Sequence, residues 1–244
     1  MSIIFSRSGD RIRAQKNMSG QQEFGRSSSN LNIGKNSKYC DTGGKNMKQI
    51  ITISREFGSG GRTIGKQLAE KLGWKYYDKE LVKQVAEKTG FDPAFIEDLG
   101  EHSASKSPLS YLFSTPGTPG VMKGMSAADF LWVMQRNVIV NLVKEGPCVI
   151  VGRCADYILR ERDDVLNVFV HAPIPYRAER IVRLYGESDK APEQRLKEKD
   201  KRRANNYKHY TGQTWGMSQN YHLSLDTSVI SLDTCVAIIE NLVK

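Results

Sequence analysis

A glycine-rich segment at residues 55–63 carries the clearest chemical signal in the sequence. It reads Arg55-Glu-Phe-Gly-Ser-Gly-Gly-Arg-Thr63, follows the β-branched run Gln49–Ile53 and precedes the helical segment Thr63–Leu72. At a junction of this kind, backbone N–H groups and the helix dipole converge on an anion. Glycines also let the main chain wrap closely around oxygen atoms without side-chain clashes. We therefore expect this segment to bind phosphate groups.

A second signal lies at the end of another apolar run. The segment Val149-Ile-Val-Gly-Arg-Cys-Ala-Asp156 places Arg153 directly after a stretch typical of a buried parallel strand. Open α/β sheets bind their ligands in the crevice beyond the carboxyl ends of the strands. Arg153 is therefore a candidate for binding an anionic ligand, although a surface arginine without a function would give the same pattern.

Apolar runs of strand length alternate with helical segments along the chain, which predicts a parallel sheet covered on both faces. The predicted strands are Gln49–Ile53, Trp74–Tyr77, Pro147–Val151, Val165–Val170 and Tyr221–Asp226. The predicted helices are Thr63–Leu72, Lys79–Lys88, Ala127–Lys144, Ala155–Arg160 and Ser231–Val243, together with a strongly charged helical stretch from Pro175 to about Lys208.

The first 46 residues differ in composition from the rest of the chain. They are rich in Ser, Asn and Gly and lack apolar periodicity, so we expect them to be disordered. Eight Lys or Arg and three acidic residues give this segment five of the nine net positive charges. The modest charge that remains is compatible with binding polyanionic phosphates without a nucleic-acid partner. The expected folded domain is 47–244.

Several other classes of protein are disfavoured by the sequence. No stretch approaches the roughly 20 consecutive apolar residues of a membrane-spanning helix, so we expect a cytoplasmic protein without a membrane partner. The four cysteines form no Cys-x-x-Cys pair and have no histidine at metal-ligand spacing, which argues against zinc. The four histidines have no Ser or Cys pairing that would suggest a catalytic triad.

From Met47 onward the chain resembles the cytidylate kinase-like family, because the glycine-rich segment is similar to a modified phosphate-binding loop. Relative to the pattern Gly-x4-Gly-Lys-(Gly)-Ser/Thr, Gly60 matches the second glycine, Arg55 stands in place of the first, and Gly61 replaces the lysine. The resemblance implies a three-layer α/β/α P-loop NTPase fold with a central five-stranded parallel sheet. It also implies an acceptor-binding insert at about 79–145 and a helical lid at about 184–212.

On the donor side, the resemblance implies ATP and Mg²⁺. Two alternatives follow from the altered loop: Arg62 supplies the positive charge that the lysine gives to the β- and γ-phosphates, or the site binds nucleotide and turns over poorly. Thr63 keeps the hydroxyl that would bind Mg²⁺. The expected donor-binding residues are Gly58, Ser59, Gly60, Gly61, Arg62 and Thr63.

On the acceptor side, Arg153 is the counterpart of the family arginine that holds the acceptor's phosphate. Cys154 stands where the family has Asp. The sequence leaves open whether Asp156, two residues later, takes over the role of that Asp. Asp78 aligns with the start of the acceptor-binding region, but the charged residues Lys79 and Glu80 follow it. That difference leaves open whether the acceptor is CMP or another small molecule.

The charged stretch resembles the lid of nucleoside-monophosphate kinases, with Arg183, Arg202 and Arg203 as candidates to neutralise charge on the transferring phosphoryl group. A solvated helix face is the alternative for each of them. The sequence as a whole predicts phosphoryl transfer from ATP to a small acceptor, namely a nucleoside monophosphate such as CMP. The rival hypotheses are a nucleotide-binding regulatory module with little activity, and a nucleic-acid-binding protein that uses the basic N-terminal segment. The sequence indicates no oligomeric state.

Overall fold

A computed structural model of the protein describes residues 47–94, 96 and 125–244. The predicted disordered segment 1–46 and most of the centre of the predicted insert, 97–124, lie outside these residues. Within them, the chain forms a five-stranded parallel sheet with the strand order β2-β3-β1-β4-β5. The strands are β1 (Ile50–Arg55), β2 (Lys75–Tyr77), β3 (Cys148–Val151), β4 (Val165–His171) and β5 (Leu223–Asp226).

Helices cover both faces of this sheet, as the sequence predicts. Successive side chains of a strand point to opposite faces, and Ile50 and Ile51 accordingly belong to two separate buried cores. One core lies beneath α2 and α3, and the other lies beneath α1 and α7. The helices are α1 (Gly61–Leu72), α2 (Lys79–Thr89), α3 (Ala127–Leu142), α4 (Ala155–Ile158), α5 (Ile174–Tyr185), α6 (Pro192–Thr211) and α7 (Leu232–Val243), and a short 3₁₀ turn spans Ser218–Asn220.

The charged stretch predicted from Pro175 to about Lys208 divides into two helices. The first, α5, ends at Tyr185, where Gly186 adopts a φ of +74°. Pro192 then opens α6 at its first turn, a position that proline tolerates because its missing N–H would have no helical partner there. The two helices pack on each other through Ile181 and Leu196, and Phe57 of the loop after β1 joins that contact.

Across residues 47–94, 96 and 125–244, none of the helices combines the length and the apolar character needed to cross a bilayer.

Candidate functional site

The glycine-rich segment forms the connection between β1 and α1, with Gly60 at the position that precedes the helix. Gly60 has a φ of +93°, and a Cβ built on it would lie 2.6 Å from Cδ2 of Leu232. The first amides of an α-helix have no partner within the helix. At α1 these are the amides of Gly61, Arg62 and Thr63, and all three residues line a cleft. The local geometry is therefore that of an anion site.

Two other strands fix the shape of this connection. The hydroxyl of Ser59, which is fully buried, donates to the carbonyl of Val170 over 3.0 Å and to that of Glu56 over 2.9 Å. Thr227, directly after β5, donates from Oγ1 to the carbonyl of Ser59 over 2.7 Å. Because its side chain is engaged in these bonds, Ser59 shapes the turn and leaves the cleft to its neighbours.

The cleft beside this connection, which we call the loop cleft, is strongly basic. Cationic side chains come from β1, α1, α5 and α6, and Glu56 is the acidic residue among its lining. An excess of positive charge in a concave site attracts polyanions. The lining residues are Arg55, Glu56, Phe57, Gly58, Gly60, Gly61, Arg62, Thr63, Arg180, Leu184, Tyr185, Lys199 and Arg203.

Arg62, predicted to be the donor-site cation, is held by an ion pair. Its Nε lies 2.5 Å from Oδ2 of Asp78, and its Nη2 donates to Oδ1 of the same carboxylate. Burial alone would lower the pKa of Arg62, but the nearby Asp78 carboxylate raises it overall. Asp78 precedes α2 and is buried, and it lines neither the loop cleft nor the second cleft described below. Asp78 therefore orients Arg62, and its predicted contact with the acceptor stays a prediction.

Thr63, predicted to bind the metal ion, is contacted by an arginine that the sequence analysis did not single out. Arg180 of α5 donates from Nη2 to Oγ1 of Thr63 over 3.2 Å and is only 7% exposed. Arg183, predicted as a lid residue, is exposed and lines a groove with Glu179 and Glu193, which Arg180 also borders. Spacing along the helix does not distinguish them, because Arg177, Arg180 and Arg183 recur every three residues and only the first two are buried.

A buried ion-pair cluster holds α5 and α6 against the loop after β1. Arg177 donates to Asp200 of α6 over 2.5 Å and to the carbonyl of Phe57 over 3.0 Å, and its Nε lies 3.3 Å from Glu56. Asp200 also accepts the backbone N–H of Phe57 over 2.7 Å. Burial raises the pKa of Glu56, although its hydrogen bond from the Ala172 amide opposes that change. The cluster fixes the helices that bear Arg180, Lys199 and Arg203.

A second cleft lies at the carboxyl end of β3, and we call it the strand-end cleft. Gly152, Arg153 and Cys154 all have positive φ values there, of 76°, 58° and 52°. For residues with a Cβ this conformation is strained, and such strain concentrates at functional sites. Gln135 of α3 donates from Nε2 to the carbonyl of Arg153 over 3.3 Å. The lining residues are Ser54, Arg55, Gly152, Arg153, Cys154, Arg203, Asn206, Tyr207 and Trp215.

Asp156 lies buried beneath the strand-end cleft rather than in its lining. Its Oδ2 accepts the hydroxyl of Tyr207 over 2.7 Å, and its Oδ1 accepts that of Ser54 over 3.4 Å. Burial raises the pKa of the Asp156 carboxyl, with the hydrogen bonds from Tyr207 and Ser54 opposing it. Asp156 thus positions two side chains of the cleft, and its predicted contact with a substrate stays a prediction.

Arg55 and Arg203 line both clefts. Arg203 of α6 donates from Nη1 to the carbonyl of Arg55 over 3.3 Å, and its guanidinium carbon lies 5.7 Å from the centre of the Phe57 ring. Its neighbour Arg202 is exposed and lines neither cleft. The sequence pattern predicts Arg203 but not Arg55, because in the phosphate-loop pattern residue 55 is only a departure from glycine.

Comparison with known proteins identifies the family. The model of the cytidylate kinase-like family matches residues 50–229, which include β1, the loop, both clefts and β5. The chain belongs to this family. The match confirms the resemblance seen in the sequence, and it makes the protein an ATP-binding P-loop kinase.

Two curated relatives agree with this assignment. The cytidylate kinase of Pyrococcus horikoshii is 25% identical over 194 residues, covering 79% of this chain and 87% of that protein. The cytidylate kinase of Methanopyrus kandleri is 26% identical over 200 residues, covering 78% of this chain and 91% of that protein. Both relatives are thus matched over most of their length.

A solved structure agrees on the fold. An uncharacterized protein from Eubacterium ventriosum, 24% identical, superposes with a TM-score of 0.59 over 80% of this chain and 97% of its own. Together with the observed sheet, these findings confirm the predicted α/β P-loop fold and support ATP-dependent phosphoryl transfer to a small molecule.

Proposed function

We propose that this kinase transfers the γ-phosphoryl group of Mg·ATP to a nucleoside monophosphate such as CMP, with the triphosphate in the loop cleft and the acceptor's phosphate in the strand-end cleft. One observation carries the proposal: two basic clefts meet at Arg55 and Arg203, which line both. Phosphoryl transfer needs two anionic groups held end to end with cations at their junction.

The donor half of the proposal rests on the loop geometry. The amides of Gly61, Arg62 and Thr63 are presented by the amino end of α1, and Gly58 and Gly60 keep that approach open. Arg62, fixed by Asp78, would contact the donor phosphates beside these amides. In this assignment Arg62 replaces the charge of the missing lysine.

The residues around Thr63 fit a metal ion that arrives with the nucleotide. A hydroxyl has two acceptor lone pairs, and Arg180 engages one of them, which leaves the other for Mg²⁺. No cluster of three His, Cys, Asp or Glu side chains suited to a metal ion occurs in the part of the chain that the structure describes. Phosphate oxygens and water would therefore supply the other ligands, and the bound ion would neutralise phosphate charge.

The acceptor half rests on the charges and aromatic rings near β3. Arg55, Arg153 and Arg203 converge on the strand-end cleft, which suits a phosphorylated acceptor better than a neutral one. A small adjoining cavity is lined by Gln135, Asn206 and the stacked pair of Trp132 and Tyr210, whose ring centres are 4.4 Å apart. Amide groups beside aromatic rings are suited to a nucleobase.

A direct assay tests the proposal. Purified protein is mixed with Mg·ATP and each of CMP, dCMP, UMP, AMP and GMP, or with an unphosphorylated nucleoside or polyol, and ADP release is followed. Turnover that depends on a nucleoside monophosphate is expected. Turnover only with an unphosphorylated acceptor would overturn the assignment of the strand-end cleft.

The regulatory-module alternative draws on one observation, the glycine at position 61 where the family pattern has lysine. It predicts Mg·ATP binding by calorimetry with no ADP release for any acceptor in the panel. The same preparation therefore separates the two functions, because only the kinase hypothesis predicts acceptor-dependent turnover.

A further inference from the structure

Two departures from the phosphate-loop pattern, at residues 55 and 61, lie at opposite ends of the loop in sequence and meet in space. A Cβ built on Gly61 would lie 2.6 Å from Cβ of Arg55 and 3.0 Å from its Cγ. Any side chain at position 61 would therefore begin in the volume that the aliphatic part of Arg55 fills. The absence of the loop lysine and the presence of Arg55 are thus sterically linked.

A second glycine makes room for the other end of the same side chain. A Cβ built on Gly152 would lie 1.8 Å from Nη1 of Arg55 and 2.9 Å from its Cζ. Gly152 also has a φ of +76°, so a side chain there would be strained as well as obstructed. The guanidinium of Arg55 therefore lies against the backbone of Gly152, where the strand-end cleft begins.

The side chain of Arg55 extends from the cleft proposed for the donor to the cleft proposed for the acceptor. Its backbone belongs to the end of β1 in the loop cleft, and its guanidinium borders the strand-end cleft near Arg153. Arg203 donates to its carbonyl, so the main chain at this point is also tied to α6. Arg55 accordingly spans the junction that the γ-phosphoryl group must cross.

We propose that Arg55 is a catalytic residue that contacts the transferring phosphoryl group, and that Gly61 and Gly152 are the two positions that make room for it. In that step a phosphate oxygen of the acceptor forms a bond to the γ-phosphorus while the bond from the γ-phosphorus to the β,γ-bridging oxygen breaks and ADP leaves. Charge on the equatorial oxygens is then neutralised by a bidentate guanidinium. The inference rests on the proposed function and assigns its central cation.

Substitutions at Arg55 separate charge from packing. Arg55→Met keeps the aliphatic volume and removes the charge, so we expect kcat to fall about 100-fold or more with an unchanged melting temperature. Arg55→Lys retains a charge without the bidentate fork, so its kcat is expected to lie between those of the wild type and Arg55→Met. Arg136→Met, on the exposed side of α3, is the matched control and should leave both values at the wild-type level. A wild-type kcat for Arg55→Met would overturn the inference.

Moving the cation back to the lysine position tests the steric link. Gly61→Lys alone is expected to lower the melting temperature because its side chain collides with Arg55. In the double variant Arg55→Gly with Gly61→Lys, the collision is removed and the usual loop pattern is restored. We expect the melting temperature of this double variant to exceed that of Gly61→Lys alone. We expect its kcat to be at least tenfold higher than that of Arg55→Gly alone. If the loss of melting temperature in the double variant equals the sum of the losses in the two single variants, the steric link is refuted without any activity measurement.

Failure of the inference and failure of the proposed function give different results. If wild-type protein binds no Mg·ATP in calorimetry, the proposed function fails and the role of Arg55 fails with it. If wild-type protein turns over a nucleoside monophosphate and Arg55→Met does so equally fast, only the role of Arg55 is refuted.

Discussion

Arg180 donates a hydrogen bond from Nη2 to Oγ1 of Thr63 across 3.2 Å. The bond joins α5 to the first turn of α1, and the buried cluster of Arg177, Glu56 and Asp200 fixes the preceding turn of α5. A guanidinium is therefore held beside the hydroxyl proposed to bind the metal ion. Such preorganised charge stabilises a polyanion without the cost of reorganising side chains during the reaction.

Removing this guanidinium is predicted to weaken both nucleotide binding and turnover. We expect Arg180→Met to raise the KM for Mg·ATP and to lower kcat/KM by about 100-fold. The same substitution at Arg183, one helical turn further along α5 and exposed, is expected to have a much smaller effect. Steady-state kinetics with varied Mg·ATP measures both variants, and equal losses would contradict the distinction between the two arginines.

The ion pair between Arg62 and Asp78 leads to a second prediction. Arg62→Ala is expected to reduce phosphoryl transfer by about two orders of magnitude while the fold stays intact, because Arg62 lines the loop cleft and is partly exposed. Asp78→Ala should lower the melting temperature more, since it leaves the cation without its carboxylate. Lys66→Ala, on the exposed face of α1, is the control and should leave turnover and melting temperature unchanged. Wild-type turnover by Arg62→Ala would refute its assignment.

Arg153 provides a test in which stability and activity move in different directions. Its φ of 58° is unfavourable for a residue with a Cβ by about 1–2 kcal/mol, a strain that glycine does not carry. Arg153→Gly should therefore be more stable than Arg153→Ala by about 1 kcal/mol in urea unfolding. Both variants should show a raised acceptor KM. An unchanged acceptor KM would show that Arg153 does not bind the acceptor.

The buried carboxyl of Asp156 predicts a pH dependence of stability. Burial raises its folded-state pKa above the ordinary value of 3.8, so the folded state binds the proton more tightly than the unfolded chain. The associated stability is present below that ordinary value and is lost as pH rises through the raised pKa. Tyr207 and Ser54 donate hydrogen bonds to this group, and burial together with the charge of Asp156 raises the pKa of the nearby Tyr221.

Substitution isolates this contribution from the other titrating groups. Asp156→Asn is nearly isosteric and does not ionise, so the difference in unfolding free energy between wild type and variant should change with pH from about 4 upward, increasingly in favour of the variant. Urea unfolding at a series of pH values measures that difference. A constant difference across the series would show that Asp156 titrates alike in the folded and unfolded states.

The three central strands could be predicted from sequence because they are largely β-branched and are buried on both faces. Ile50–Ile53 and Val165–Val170 are runs of this kind, and a glycine-rich turn follows the first of them. The candidate anion site was predicted from the same local pattern. These features depend on residues close together in the chain, where periodicity and turn chemistry are decisive.

The individual arginines were harder to assign because their directions depend on packing between distant elements. Arg180 faces the loop since α5 turns Ala178 and Ile181 toward Phe57 and Leu196, which leaves Arg183 on the outer side. The pairing of Arg62 with Asp78 depends on the short strand β2 bringing the start of α2 toward α1. Neither relationship follows from spacing within one helix.

The hydrogen bond from Thr227 to the carbonyl of Ser59 connects residues 168 positions apart. A ribosome-bound chain that has emerged only as far as α6 can form β1 and α1, but it lacks the hydroxyl that closes the phosphate loop and the Leu232 side chain that packs on Gly60. We therefore expect the loop to gain its nucleotide-binding shape only after β5 and the start of α7 have been synthesised.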